Sequence, residues 1–468
     1  MPTIRRLLPV LPVALALAAA ASSCTDDTGG ATTTTEAPPT TIGVTVRTTT
    51  DRAVSVGAGV DSGLAEQLEA QLAELQAKVE VLRGLSYLSP PQIVLLGEDD
   101  FSARRASFVE SKLDPVALAV DTRLYRLLGL LSPAEDLNAL LTDVSSSPVE
   151  VYYDDMIGEV VIAATVAEPG PVELSEIVAA LTMALTDQYH HHASRAADLT
   201  AAGRYDEAEA LTALASADAL TSQLRYLEGL PDTARVEAAA ATDGFAQPPA
   251  PEFLAGELAF PADTGLAFVT ALLNRDGLAG LDGAYSADPL TTELVSHPER
   301  YLAGEGATPI EVPAIAVNGY ELRDQGSLGE LGLQGLLSAA APPGLLTQTT
   351  DGWGSDAFVT LSDASDVAFL YLYRGDSADD AVEVAQAFLN HAAFVMGLAE
   401  PLAVGGGVEF VGLAPVEGEL EEPTEGNGTA PTVTGPYVFV DRSGAGLVVI
   451  VAGDVGAGRA IRDQVDVP

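Results

Sequence analysis

Lysine is nearly absent from this chain: Lys78 and Lys112 are the only two in 468 residues. Lysine and arginine together number 22 against 67 aspartates and glutamates, a formal net charge of −45. That balance excludes nucleic acid as a partner and disfavours anionic membrane surfaces, because like charge repels at long range. It suits a salty medium, where screening relieves self-repulsion. Cysteine is scarcer still. Cys24 stands alone, which excludes an internal disulfide. Beyond the N-terminus no apolar run approaches the ~20 residues of a membrane-spanning helix. There is no G-x-S-x-G elbow, no Walker loop and no dinucleotide fingerprint in proper context, so the commonest hydrolase and nucleotide sites have no sequence signal. Alanine and glycine abound and arginine far outnumbers lysine, a composition that suggests a GC-rich genome.

What is present begins at the first residue. Arg5 and Arg6 precede an apolar run from Leu7 to Ala21, which ends in Ala21-Ser22-Ser23-Cys24. Charge, apolar core and small-residue exit make a secretory signal over residues 1–23. Small residues ending at the lone cysteine resemble a bacterial lipobox, although Ala21 stands where leucine is usual. Cys24 is therefore expected to carry a lipid that holds the chain on the extracytoplasmic face of a membrane, two acyl chains being enough for stable anchoring. Removing residues 1–23 takes away two arginines and no acid, moving the charge from −45 to −47. Residues 24–60, with Thr32 to Thr35, Pro38-Pro39 and Thr48 to Thr50, have too little apolar surface to offset ordering entropy, and read as a flexible tether.

Two folded parts are expected after the tether: a mainly helical one with a small sheet over 61–345, and an α/β portion over 346–468. Together they make an α+β protein. Leu64, Leu68, Leu72, Leu75, Val79 and Leu82 recur three and four apart and place a helix over about 61–83, packing on its own domain or in a short coiled coil. Ile93 to Leu96 reads as a strand. Val149 to Asp154 and Glu159 to Thr165 read as a hairpin about Asp155-Met156-Ile157-Gly158. Long helices follow over roughly 173–201 and 205–227. Ala357 to Leu361 and Val367 to Tyr373 alternate as strands before a helix from 379, and Tyr437 to Val440 and Gly446 to Val451 do so before a short one. That is β-β-α twice, in a two-layer arrangement, with an acidic loop over 414–436 between the units.

Few residues suggest chemistry by themselves. His190-His191-His192 is one candidate, yet consecutive helical residues point about 100° apart and cannot converge on one ion. Asp187 with His191, or Asp187 with His190, supplies half a metal site, so these three are weak metal candidates and a solvated, pH-sensitive helix face is the simpler expectation. His297, before Pro298, reads as a local cap or a core hydrogen bond. Gly405-Gly406-Gly407 reads as a turn, and Asn427-Gly428-Thr429 likewise.

Several stretches resemble a group of secreted, largely actinobacterial zincin-type metallopeptidases. In that group a strand pair of the form "GFYDPETGELVV" precedes a helix bearing "AHELTHALQDQ", and a later helix bears "EGDA". Here the hairpin stretch is Val151-Tyr152-Tyr153-Asp154-Asp155-Met156-Ile157-Gly158-Glu159-Val160-Val161, and the helix stretch runs from Val178-Ala179-Ala180-Leu181-Thr182-Met183 to Asp187-Gln188. Asp288-Pro289 through Ser296-His297-Pro298-Glu299-Arg300-Tyr301 resembles "PP-STEQVLHPEKY", and Gly352-Trp353-Gly354-Ser355-Asp356 resembles "GWGGD". The likeness spans roughly residues 80–400. It implies a zincin-like fold in which the two zinc-binding histidines and the general base fall on Ala179, Met183 and Ala180, and the third ligand on Ser216. An HExxH helix needs two imidazoles one turn apart and a glutamate between them. Methyl, thioether and hydroxyl groups replace all four.

The expected protein is therefore a cell-envelope lipoprotein with a degenerate metallopeptidase domain. It has no catalytic residue and no cofactor, and it acts in binding or scaffolding, with a peptide or envelope ligand in the vestigial cleft. The opposing expectation is an active secreted metal-dependent peptidase or hydrolase with an unrecognised ligand set.

Overall fold

The computed structural model describes residues 54–145, 149–165, 168–242, 250–398, 400–412 and 435–468. Cys24, the signal sequence, most of the tether and most of the acidic loop lie outside the described residues. The chain is a mixed α+β protein, and its described residues form two sheets, one of four strands and one of seven.

The four-stranded sheet has the order β1-β2-β4-β3, formed by Val54–Val56, Gln92–Leu96, Glu159–Ala163 and Val151–Asp154. β1 and β4 run parallel to β2, and β3 pairs antiparallel with β4 through the expected hairpin, with Tyr152 opposite Val161. Gly158, at φ 74°, supplies the left-handed step that closes this turn. Val54–Val56 falls inside the stretch expected to be tether. Ordered structure thus starts earlier than residue 61, because Val-Ser-Val finds a sheet edge to join.

Side chains alternate across this sheet. Val151, Tyr153, Val160 and Ile162 point into a core shared with the helices Ser62–Arg83, Pro171–His190 and Tyr205–Glu228. Tyr152 and Val161 point the other way, against Phe101 and Phe108 of the helix Glu98–Lys112. The helix Ser62–Arg83 starts on Asp61, whose carboxylate accepts from Leu64 N at 3.0 Å, and buries Leu68, Leu72, Leu75 and Val79 within its own domain rather than in a coiled coil. Leu181 and Leu185 of Pro171–His190 are fully buried. At the turn of π-helix Pro261–Gly265, Gly265 lets the backbone approach Tyr205–Glu228, since a Cβ there would sit 3.2 Å from both Ala213 O and Ala217 Cβ.

The seven-stranded sheet is antiparallel throughout, in the order β5-β6-β7-β11-β10-β9-β8. Its strands are β5 Glu321–Gly326, β6 Trp353–Ser362, β7 Val367–Gly375, β8 Leu402–Val404, β9 Gly407–Val411, β10 Tyr437–Ser443 and β11 Gly446–Ala452. The two β-β-α units meet at β7 and β11, with Tyr371 opposite Val449. Their helices lie on opposite faces, which corrects the two-layer expectation. Ala378–Asn390 covers the face bearing Phe369, Tyr371 and Val449, while Val455–Arg462 covers the face bearing Leu370, Val448 and Ile450. The expected boundary at 345 also moves. β5 belongs to this sheet, and Ile310, Val312, Ile315 and Val317 pack on its outer face. The inner face shares one core with Leu118, Leu124 and Tyr125 of the helical part, so the two parts are not separate bodies.

Candidate functional site

The helix Pro171–His190 begins with Pro171 at its first position, where the missing N–H costs nothing. Thr182 and Thr186 sit on its buried length, and each hydroxyl is satisfied within the helix, Thr182 Oγ1 donating to Val178 O at 2.8 Å and Thr186 Oγ1 to Thr182 O at 3.0 Å. The helix packs against Tyr205–Glu228, which is buried from Ala208 to Gln223 apart from Ser216. Ala179, Ala180 and Met183 are 0%, 5% and 9% exposed and belong to the apolar core. Ser216 is partly exposed. The four positions therefore do not line an open cleft, and no ligand can reach Ala179 without displacing core. A divalent cation needs imidazole or carboxylate donors to offset its lost hydration, and this set offers two methyls, a thioether and a hydroxyl. Zinc does not fit here.

Asp187, His190 and His191 do not come together either. The helix ends at His191, which takes the left-handed conformation (φ 50°, ψ 37°) and is exposed. A second helix, His192–Ala201, starts immediately. One continuous helix over 173–201 was expected; the break re-aims the side chains. His190 stacks on Tyr285 with ring centroids 4.1 Å apart and planes at 3°, and its Nε2 lies 3.4 Å from Asp282 Oδ1. His192 is buried, its Nε2 3.3 Å from both Met183 O and Thr186 Oγ1. Asp187 joins the two helices: Oδ2 accepts from the Tyr153 hydroxyl at 2.8 Å and Oδ1 from Ala193 N at 3.0 Å. The solvated histidine face expected from sequence is corrected to one exposed and two inward rings. Burial pushes the His190 imidazole down to about 4, against the pull of Asp282, and burial lowers His192 as well. Both are neutral at pH 7.

The two inward rings border a charged centre that the sequence reading missed. Arg83, the last residue of its helix, is 1% exposed. Its Nε donates to Asp218 Oδ2 at 2.8 Å and its Nη2 to Asp282 Oδ1 at 2.5 Å. Tyr285 donates its hydroxyl to Asp218 Oδ2 at 3.0 Å, and Arg195 Nη1 donates to Tyr285 O at 2.5 Å. Burial pushes the Asp218 carboxyl up while Arg83 pulls it down. A signal did exist. Arg83 continues the 68-72-75-79 stripe, so a cation sits where the helix turns its apolar side inward and must find an acid there. Arg83 faces two carboxylates, buried Asp218 and part-exposed Asp282, an ion-paired arrangement that suits a structural role better than proton transfer.

His297 lies at a second polar cluster, between helical part and large sheet. Its Nε2 is 3.1 Å from Oε2 of the fully buried Glu330, whose Oε1 accepts from Gln334 Nε2 and from Thr350 Oγ1, both at 3.2 Å. The hydrogen bond to Glu330 raises the His297 imidazole. Arg300 reaches Glu293, Asp351 and Asp376 in the same place. The core hydrogen bond expected of His297 is present. Asp356 of the Gly352-Trp353-Gly354-Ser355-Asp356 stretch is an acceptor hub, taking Leu328 N at 2.7 Å, Gly329 N at 2.9 Å, Tyr371 Oη at 3.1 Å and Trp353 Nε1 at 3.2 Å. Gly405 and Gly406 form the turn between β8 and β9, as read from sequence.

Among the described residues no group of three or more histidines, cysteines, aspartates or glutamates is placed to hold a metal ion, and no helix is long and apolar enough to cross a membrane. No family model, curated protein or solved structure matches the chain.

Proposed function

We propose that this protein is a lipid-anchored, non-catalytic component of the cell envelope, a zincin-like scaffold that has given up metal chemistry and serves in binding or scaffolding. The observation that carries the reading is the state of the motif helix. Ala179, Ala180 and Met183 are packed into closed apolar core, and the polar groups Arg83, Asp218, Tyr285 and Asp282 are engaged with one another by ion pairs and hydrogen bonds. A hydrolase needs a base or a metal-bound water facing substrate. Ala179, Ala180, Met183 and Ser216 supply neither. The lipid on Cys24 is part of the same proposal and rests on the sequence Ala21-Ser22-Ser23-Cys24.

Two measurements on the full chain test it. Purified protein is expected to carry no stoichiometric zinc, to melt at the same temperature with and without chelator, and to leave peptide substrates uncut. Cys24→Ser is expected to move the protein from the membrane fraction to a soluble or unprocessed form. Stoichiometric zinc with peptide hydrolysis removes the non-catalytic reading. Equal membrane partition of wild type and Cys24→Ser removes the anchor.

A further inference from the structure

On the far side of the small sheet, away from the motif helix, the helix Glu98–Lys112 borders a cavity of about 840 Å³. Its walls are largely apolar, with Phe101, Val109, Leu113 and Val149 among them, and Glu98, Glu110 and Glu150 stand in its lining as the acids. Arg105 also lines it. The neighbouring cations of that helix are each matched to carboxylates: Arg104 to Glu159 at 2.6 Å and Asp154 at 3.4 Å, and Lys112 to Asp155 at 2.5 Å. Arg105 is different. It is 7% exposed, it donates from Nη2 to Ser145 O at 3.0 Å, and its Nη1 is buried without a hydrogen-bond partner. Among the described residues no carboxylate lies within ion-pair distance of it, although the chain has three acids for every base. Tyr152, whose ring centroid is 6.0 Å from the guanidinium carbon, has its hydroxyl buried and unpartnered too.

Burying a guanidinium without a counter-charge is costly, and burial pulls Arg105 down to about 10. Water in the cavity supplies no counter-charge and leaves the apolar walls wet. A ligand with one anionic group and a hydrocarbon body satisfies both. We propose that this cavity is a binding site for an amphipathic monoanion, with a carboxylate or phosphodiester head paired to the Arg105 guanidinium and an apolar body against Phe101, Val109, Leu113 and Val149. The three lining glutamates select against further negative charge on the ligand. The site gives the binding role proposed above its ligand class, and it rests on that reading only for its biological use.

The test is equilibrium binding to the purified full chain, below micellar concentrations, of four probes sharing a twelve-carbon chain: laurate, lauroyl-lysophosphatidylglycerol, dodecanol and dodecyltrimethylammonium. One equivalent of laurate or of the lysolipid is expected to bind at least tenfold more tightly than dodecanol or the cation. Preference between the two anions tells a free acid from a lipid headgroup. Arg105→Met is expected to weaken the anion at least tenfold and to leave dodecanol nearly unchanged. Ala106→Trp, at an exposed lining position that leaves the core untouched, is expected to weaken all of them and covers the case in which Arg105→Met does not fold. Absence of anion binding, dodecanol binding as tightly as laurate, or unchanged laurate affinity in a folded Arg105→Met overturns the proposal. Zinc and hydrolysis measured on the same preparation separate the two readings: laurate bound to an active zinc enzyme keeps this site and removes the non-catalytic function.

Discussion

Arg83 and Asp218 are 135 residues apart in the chain, and their side chains meet in an ion pair of 2.8 Å with 1% of each exposed. The pair ties the end of one helix to the middle of another, with Tyr285 and Asp282 closing the set. Arg83→Leu leaves the Asp218 carboxylate buried without its cation, at an expected cost of about 3–5 kcal/mol, whereas Asp218→Asn leaves Arg83 its second carboxylate, Asp282, and is expected to cost less. Arg83→Met with Asp218→Leu is expected to cost less than either single change. Denaturant unfolding of the three variants measures this, and a double mutant worse than both singles contradicts it.

A second prediction concerns acid. His190 is held neutral by burial, at about 4 in the fold against 6.5 ordinarily, with Asp282, Arg83 and His192 facing it. Between those values the unfolded chain binds the proton and the folded chain does not, so stability rises with pH across that window. His190 is therefore expected to contribute a loss of stability as pH drops from about 6.5 towards 4, and His190→Gln is expected to remove that contribution. His192, also lowered, acts with the same sign. Unfolding midpoints between pH 7.5 and 4.5 give the answer. Equal acid losses in wild type and variant count against it.

Leu181 and Leu185 are both fully buried on the motif helix. Replacing either with alanine is expected to cost ~2–5 kcal/mol, transfer and cavity terms together. A cost under ~0.5 kcal/mol, the size of a surface change, means the helix is peripheral.

Restoring the metal motif is expected to be destabilising first. Of Ala179→His, Ala180→Glu, Met183→His and Ser216→Glu, the first two force larger polar groups into closed core and the third puts an imidazole there, and overpacking costs about 1–3 kcal/mol even for apolar additions. If the resemblance is sound, zinc recovers part of that loss by binding the folded state alone. The measurement is melting temperature of the quadruple variant against zinc concentration. No zinc response in a folded variant removes the alignment on which the zincin reading rests.

Much of this architecture was legible from local pattern. The stripe through Leu68, Leu72, Leu75 and Val79, the apolar and aromatic run Val367–Tyr373 and the turn at Gly158 each rest on a short-range pattern or one backbone requirement. What was not legible depends on distant partners. Val54–Val56 is a strand only because β2 offers it an edge. The left-handed break at His191 falls in a sequence whose helical residues continue on both sides, and it redirects the chain from His192 onward. Which face each β-β-α helix covers is decided by the rest of the core. At the site, the absence of metal-ligating side chains at Ala179, Ala180, Met183 and Ser216 was readable residue by residue, whereas Arg83 and Arg105 become informative only when their neighbours are known.

The pairing of β7 with β11 makes the large sheet a joint product of two stretches of chain. β11 is inserted between β7 and β10, and residues 413–434 separate it from the first five strands of that sheet. A cut anywhere in that interval severs one covalent link and no strand pair among the described residues. The protein is therefore suited to fragment complementation, with a tail of a few dozen residues, 435–468, as the removable centre strip of its own sheet.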